Sequence, residues 1–128
     1  MKERIQTPQA PNAIGPYSQA IVTDSLVFCS GQGPLDPDTN TLVEGDITVQ
    51  TERTMKNITG LLGSMGLDLS DVVKSTCYLA DMDDFRAFNA VYASSMPEPF
   101  PARTTIEAAR LPLDILVEID IIAQKRRG

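Results

Sequence analysis

The order of patterns along this chain predicts an α+β fold: a mixed β-sheet with two helices packed on one face. Three observations predict it. Strand-like runs open and close the sequence, two amphipathic helical patterns enclose a strand-like run, and turn chemistry separates neighbouring runs near both ends. A helix that connects two strands favours a parallel crossover, whereas short connections favour antiparallel pairs, so both kinds of pairing are expected in one sheet. With 128 residues, 42% of them hydrophobic and 22% charged, the chain has the length of one compact domain, residues 1–128. It can bury a core without disulfides or metals.

Each element has a local reason. Residues 7–16 carry Pro8, Pro11, Gly15 and Pro16, a spacing no helix tolerates, so an irregular arm is expected. Residues 18–23 and 26–30 read as strands flanking Asp24 and Ser25, a spacing that suits a hairpin. Residues 31–45 hold Gly33, Pro34, Asp36, Pro37, Asp38 and Asn40, which is the chemistry of a loop. Asp46 caps a helix whose stripe of Ile47, Thr54, Met55, Ile58, Leu61, Leu62 and Met65 runs close to helical spacing and stops near Gly66. A stripe of that kind is core packing, so no cofactor is assigned to it.

Residues 72–79 form the next predicted strand, entered through Ser70 and Asp71. Asp81 and Asp84 then favour the start of a second helix that turns Phe85, Phe88 and Tyr92 toward the same core. Prolines between 97 and 101 end it and deliver an extended chain into a strand over 102–108. After a turn over 110–114, residues 115–124 alternate with period two. Val117, Ile119, Ile121 and Ala123 share one face; Leu116, Glu118, Asp120, Ile122 and Gln124 share the other.

Composition excludes several chemistries. There is no histidine and no tryptophan, so no Ser-His-Asp or Cys-His arrangement, no histidine-bound zinc and no imidazole base can occur. Catalysis must use carboxylates, Arg, Lys, Tyr, hydroxyls or thiols. Cys29 and Cys77 lie in separate apolar runs with no second Cys nearby, and they are expected as buried reduced thiols. Eleven Lys plus Arg against 17 Asp plus Glu give a net charge of -6, which repels phosphate backbones, so nucleic acid is an unfavoured partner. The only basic cluster, Lys125, Arg126 and Arg127, is expected as a solvated tail. No exporting or membrane-spanning segment is apparent, and an intracellular, cytoplasmic protein is expected.

The candidate chemistry sits at the ends of strands. Glu118 and Asp120 share one face of an otherwise apolar strand; either that face is the solvated side of an edge strand, or it lies in a cleft with cations nearby. Arg103 follows a run of prolines that fixes its backbone, and a guanidinium so placed can grip a carboxylate through two parallel hydrogen bonds, or equally form a structural salt bridge. Arg110 has the same two readings, with its turn favouring the structural one. Tyr17 follows the rigid Gly15-Pro16 lead, which could aim its phenol into a cleft or merely pack it. Ser30, Gly31, Gln32 and Gly33 could bring backbone amides close to an anion.

Taken together, several blocks resemble the RidA family of reactive intermediate deaminases, also called the YjgF/YER057c/UK114 family. They are Ala13-Ile14-Gly15-Pro16-Tyr17-Ser18-Gln19, Ser30-Gly31-Gln32, Asp84-Phe85, Asn89-Ala90-Val91-Tyr92, Phe100-Pro101-Ala102-Arg103, Arg110-Leu111-Pro112 and Glu118-Ile119-Asp120. The resemblance covers nearly the whole chain. It implies a chorismate-mutase-like α+β fold, a homotrimer, and a site in each cleft between subunits that hydrolyses 2-imino acids to 2-oxo acids and ammonia. By that analogy Arg103 clamps the substrate carboxylate and Glu118 positions the attacking water. Tyr17, Ser30, Gly31, Asn89 and the backbone at Thr105 line the pocket, and no cofactor or metal is implied.

An imino carbon is already activated by its nitrogen, so an anchor plus one carboxylate suffices without histidine. Thr105 stands where many members have Cys, Gly33 where they have a branched apolar residue, and Leu113 where they have Lys. Ser94, Ser95 and Met96 replace bulkier residues expected to shape the cleft wall. Two other roles are also associated with this family: capture of small carboxylic acids or client proteins without turnover, and ribonuclease activity, which the acidic, histidine-free composition disfavours.

Overall fold

The alternating runs assemble as expected in the computed structural model, which describes residues 2–126. In chain order the strands are β1 (Glu3–Ile5), β2 (Ala20–Val22), β3 (Leu26–Gln32), β4 (Leu35–Asp36), β5 (Thr41–Leu42), β6 (Val72–Leu79), β7 (Ala102–Glu107) and β8 (Val117–Gln124), and the helices are α1 (Ile47–Gly63) and α2 (Phe85–Ser95). Six strands form one sheet in the order β1-β2-β3-β8-β6-β7. Only β6 and β7 pair in parallel, across the α2 crossover; the other neighbours are antiparallel. This is the mixed sheet with two helices that the sequence predicts.

Three expectations on the sheet need correction. β1 was not foreseen, because a strand of three residues carrying Glu3 and Arg4 has no apolar signal of its own and exists by pairing with β2. Within residues 31–45, β3 runs on to Gln32, and β4 and β5 form a small separate hairpin. β8 is no edge strand: it lies between β3 and β6, so Glu118 and Asp120 belong to the middle of the sheet.

The helix signals act largely as expected. The Asp46 side chain accepts from the Val49 amide at 3.0 Å, and beyond the helix Gly66 takes φ +73° while Leu67 N–H donates to Leu62 O at 3.0 Å; this is the left-handed stop that glycine permits. Asp84 makes no side-chain cap. Asp81 instead caps a single 3-10 turn, Met82–Asp84, through the Asp83 amide at 2.9 Å, and that turn rolls directly into α2.

Both helices cover the same face. Ile58, Leu61 and Leu62 of α1 and Phe88 of α2 are fully buried with Cys77 and Leu79 of β6 and Val117, Ile119 and Ala123 of β8. Between the layers, the Tyr92 hydroxyl donates to Ser75 Oγ at 2.9 Å. Cys29 and Cys77 are both free and buried, as expected.

The other face is open, and Phe28, Val73 and Ile106 are exposed there. Arg126 is not part of a solvated tail: it reaches Asp71 at 2.8 Å and Asp68 at 3.0 Å, fastening the end of β8 to the turn before β6. Arg127 lies outside the described residues. Among those residues no helix is long and apolar enough to cross a membrane.

Candidate active site

Arg103 is held by aromatic residues. The parallel register sets it beside the buried Ser75, and therefore on the helix-covered face. Its guanidinium carbon lies 4.8, 5.6 and 5.7 Å from the ring centroids of Tyr92, Phe85 and Phe88. These are the residues that patterning places on one face of α2. Cation–π contact of this kind orients a guanidinium without neutralising it. The ion pairs among the described residues are Arg110–Asp114 and the two made by Arg126; Arg103 takes part in none. It lines a cavity of about 290 Å³ with Asn89, Tyr92, Ala93, Phe100 and Pro101.

Glu118 faces the other way. The antiparallel register puts it across from Tyr78, in the open-face row that alternates with the fully buried Val117 and Ile119. On its β3 side a Cβ built on Gly31 would lie 2.6 Å from Glu118 Oε2 and 2.9 Å from Cδ. The missing side chain of Gly31 is thus what lets the carboxylate lie against the backbone. Burial, and next the nearby Asp120 charge, push the Glu118 carboxyl above the ordinary carboxylate range. A raised carboxyl is a stronger base when ionised.

The predicted site residues therefore fall into two groups. Arg103 and Asn89 share the cavity at β7. Tyr17 and Gly31 share a small hollow, about 60 Å³, with Asn12 and Gln19, and Glu118 borders Gly31. Ser30 uses its hydroxyl within the chain, donating to Ser18 O at 2.5 Å and so fixing the segment that carries Tyr17. Tyr17 is half exposed, its phenol oxygen 3.5 Å from the Ile14 amide. Thr105 lies outside the β7 cavity. Its buried hydroxyl sits by the Cys77 thiol, across the β6–β7 pair. Ser94, Ser95 and Met96 do not wall the Arg103 cavity either; they line a separate groove with Thr59 and residues 68–70.

Sequence reasoning did not single out the residues that hold these groups in place. Gln19 is buried and clasps the irregular arm: its Oε1 accepts from the Thr7 amide at 2.7 Å, and its Nε2 donates to Thr7 O, Ala10 O and Pro11 O. The Asn57 amide donates to Gly33 O and Leu35 O, pinning the loop after β3 to α1. The Tyr78 hydroxyl donates to Asp120 Oδ2 at 3.1 Å. Polar residues inside apolar runs were the available signal for all three.

Fold and site together define a small α+β protein with a guanidinium outside the ion pairs of the described residues on one face of its sheet and a half-buried carboxylate on the other. The chain belongs to the endoribonuclease L-PSP family, whose model matches residues 7–125. It is 50% identical to a RutC family protein of Pyrococcus horikoshii over 98% of this chain and 99% of that one. It is 47% identical to the chloroplastic Reactive Intermediate Deaminase A of Arabidopsis thaliana, over 95% of this chain and 65% of that one. Among solved structures it superposes on Escherichia coli TdcF with bound serine at a TM-score of 0.90, with 34% identity, 97% of this chain and 99% of that one covered.

Proposed function

We propose that this chain is a 2-iminobutanoate/2-iminopropanoate deaminase, a cofactor-independent cytoplasmic enzyme that hydrolyses reactive 2-imino acids to 2-oxo acids and ammonia. The observation that carries this reading is Arg103, which is gripped by three rings at the wall of a cavity and takes part in none of the ion pairs among the described residues. Such a group is a preorganised anchor for a small carboxylate. The relative solved with serine, itself an amino acid carboxylate, supports it.

In the proposed reaction Arg103 holds the substrate carboxylate and Glu118 takes a proton from water as its oxygen adds to the imine carbon. The C=N π electrons pass to nitrogen, and the protonated Glu118 returns its proton there, giving the carbinolamine. Glu118 then takes the carbinolamine O–H proton and passes it to the departing nitrogen as the C–N bond breaks, leaving the 2-oxo acid, ammonia and an ionised Glu118. Water is the only co-reactant.

Because Arg103 and Glu118 lie on opposite faces of one sheet, one chain does not bring both to one substrate. The reading therefore includes a homotrimer in which Glu118, Gly31 and Tyr17 of one subunit meet Arg103 and Asn89 of the next. A dehydratase-coupled assay of 2-oxo acid release tests it. Arg103→Ala removes one partner of a charge pair, worth about 2 to 5 kcal/mol, so turnover should fall roughly thirtyfold to several thousandfold. Arg103→Ala and Glu118→Gln subunits, each inactive, should regain up to about a quarter of wild-type sites when mixed and reassembled, by the statistics of a cyclic ring. Ligand binding without acceleration by the wild type would leave a carboxylate-binding trimer, and RNA cleavage lost in Arg103→Ala would restore the ribonuclease reading.

A further inference from the structure

Beside Glu118 the open face carries a second acid and a phenol that the reaction above leaves without a task. Asp120 stands two residues along β8 on the same face, across from Thr76, while Tyr78 stands directly across from Glu118. The Tyr78 hydroxyl does not stay in its own row; it reaches the next and donates to Asp120 Oδ2 at 3.1 Å. On the opposite flank, bare Gly31 backbone closes against the Glu118 carboxylate. Glu118 is thus bordered by bare backbone on one side, and by a phenol and a tethered carboxylate on the others.

We propose that Tyr78 and Asp120 are positioning residues for Glu118: Tyr78 pins the Asp120 carboxylate beside it, and that fixed negative charge drives Glu118 to take and return the proton of the attacking water. The inference rests on Glu118 serving as the base in the deaminase reading. A like charge about 6 to 7 Å away along a strand favours the protonated form of its neighbour, and a tethered charge does so more reproducibly than a free one.

The other charged and titratable groups on that face are few. Lys74 of β6 lies farther along, donating to Thr104 Oγ1 at 2.8 Å. β1 presents Arg4, three strands from β8 in the row of Ile21, Phe28 and Ile122; β7 presents Thr104 and Ile106, β3 presents Phe28 and Gly31, and the arm supplies Tyr17. Both helices lie on the far side of the sheet, and in the proposed trimer the neighbouring subunit's Arg103 faces Glu118 across the substrate. Two shifts agree with the geometry. Asp120 is the charge that adds to burial in raising Glu118, and burial and the bond to Asp120 raise Tyr78, which keeps its hydroxyl a donor.

The experiment is the pH profile of kcat/KM for imine hydrolysis by the assembled protein. Asp120→Asn should move the acid limb down by about half to one pH unit and lower the plateau several-fold. Tyr78→Phe, which removes only the hydroxyl, should move the limb the same way by less, and Asp120→Glu should restore it. An acid limb unmoved in both Asp120→Asn and Tyr78→Phe overturns the inference; if Asp120→Asn fails to assemble, Tyr78→Phe decides alone. Glu118→Gln measured alongside separates the two readings. Normal turnover there removes the base itself, whereas an inactive Glu118→Gln with unmoved limbs removes only the positioning pair.

Discussion

Gly31 shows how much can depend on an absent atom. A methyl there would sit 2.6 Å from Glu118 Oε2, closer than any packing allows, so either the carboxylate or the β3 backbone must move. A displacement of about 1 Å at a reacting group can cost roughly a hundredfold in rate. Gly31→Ala is therefore expected to lower kcat by one to two orders of magnitude, roughly, while the thermal midpoint changes little; coupled kinetics and calorimetry on the same sample check both.

Glu118 itself makes a prediction of opposite sense for stability. Its carboxyl is raised in the fold, first by burial and then by Asp120. Between the ordinary carboxylate range and that raised value the folded chain binds a proton the unfolded chain has lost. Stability falls as pH rises through the window. Glu118→Gln should thus abolish turnover yet be at least as stable as the wild type to guanidinium at pH 7, an advantage that disappears below about pH 4. A variant less stable at neutral pH would contradict this account of the carboxyl.

At the scale of elements, the helices were the most legible parts. α1 combines a side-chain cap at Asp46, an apolar stripe and a glycine stop, and each signal is local, so periodicity and capping suffice to read it. What periodicity does not show is why α1 contains Gly60. A Cβ built there would lie 2.3 Å from Gln9 O, so this glycine admits the backbone of the proline-rich arm. Ala is the better helix former by about 1 kcal/mol, yet Gly60→Ala is expected to destabilise by about 1 to 3 kcal/mol through overpacking. Chemical denaturation would register it, and a stabilised variant would mean that the arm is not docked as described. β1 and the β4–β5 hairpin were illegible for a related reason: strands of two or three residues have no period to detect and exist only because a partner pairs with them.

At the scale of the whole molecule, the open face of the sheet combines exposed Phe28, Val73 and Ile106 with the half-buried Glu118, Asp120 and Tyr78. An uncovered face of that composition is suited to burial between copies, which is the assembly proposed above. Sedimentation should give three times the mass of one chain, and because only the folded assembly binds its neighbours, the thermal midpoint should rise with protein concentration. A monomer with a concentration-independent midpoint would remove the shared site.

Read residue by residue, the chain determined which chemistries are closed to it and most of its elements. The absence of histidine, the strand alternation from Val117 to Ala123 and the two helical stripes are composition and short-range periodicity, which a linear sequence carries in full, whereas Arg103 and Glu118 were joined only through the resemblance of their sequence blocks to a family. Only the tertiary structure decided that β8 lies inside the sheet, that Arg103 and Glu118 point to opposite faces, that Gln19 and Asn57 fasten the loops, and that Tyr78 reaches Asp120. Those are facts of strand order, register and facing. They arise between residues tens of positions apart, where the free energy of pairing depends on which surfaces meet and leaves no local pattern to read.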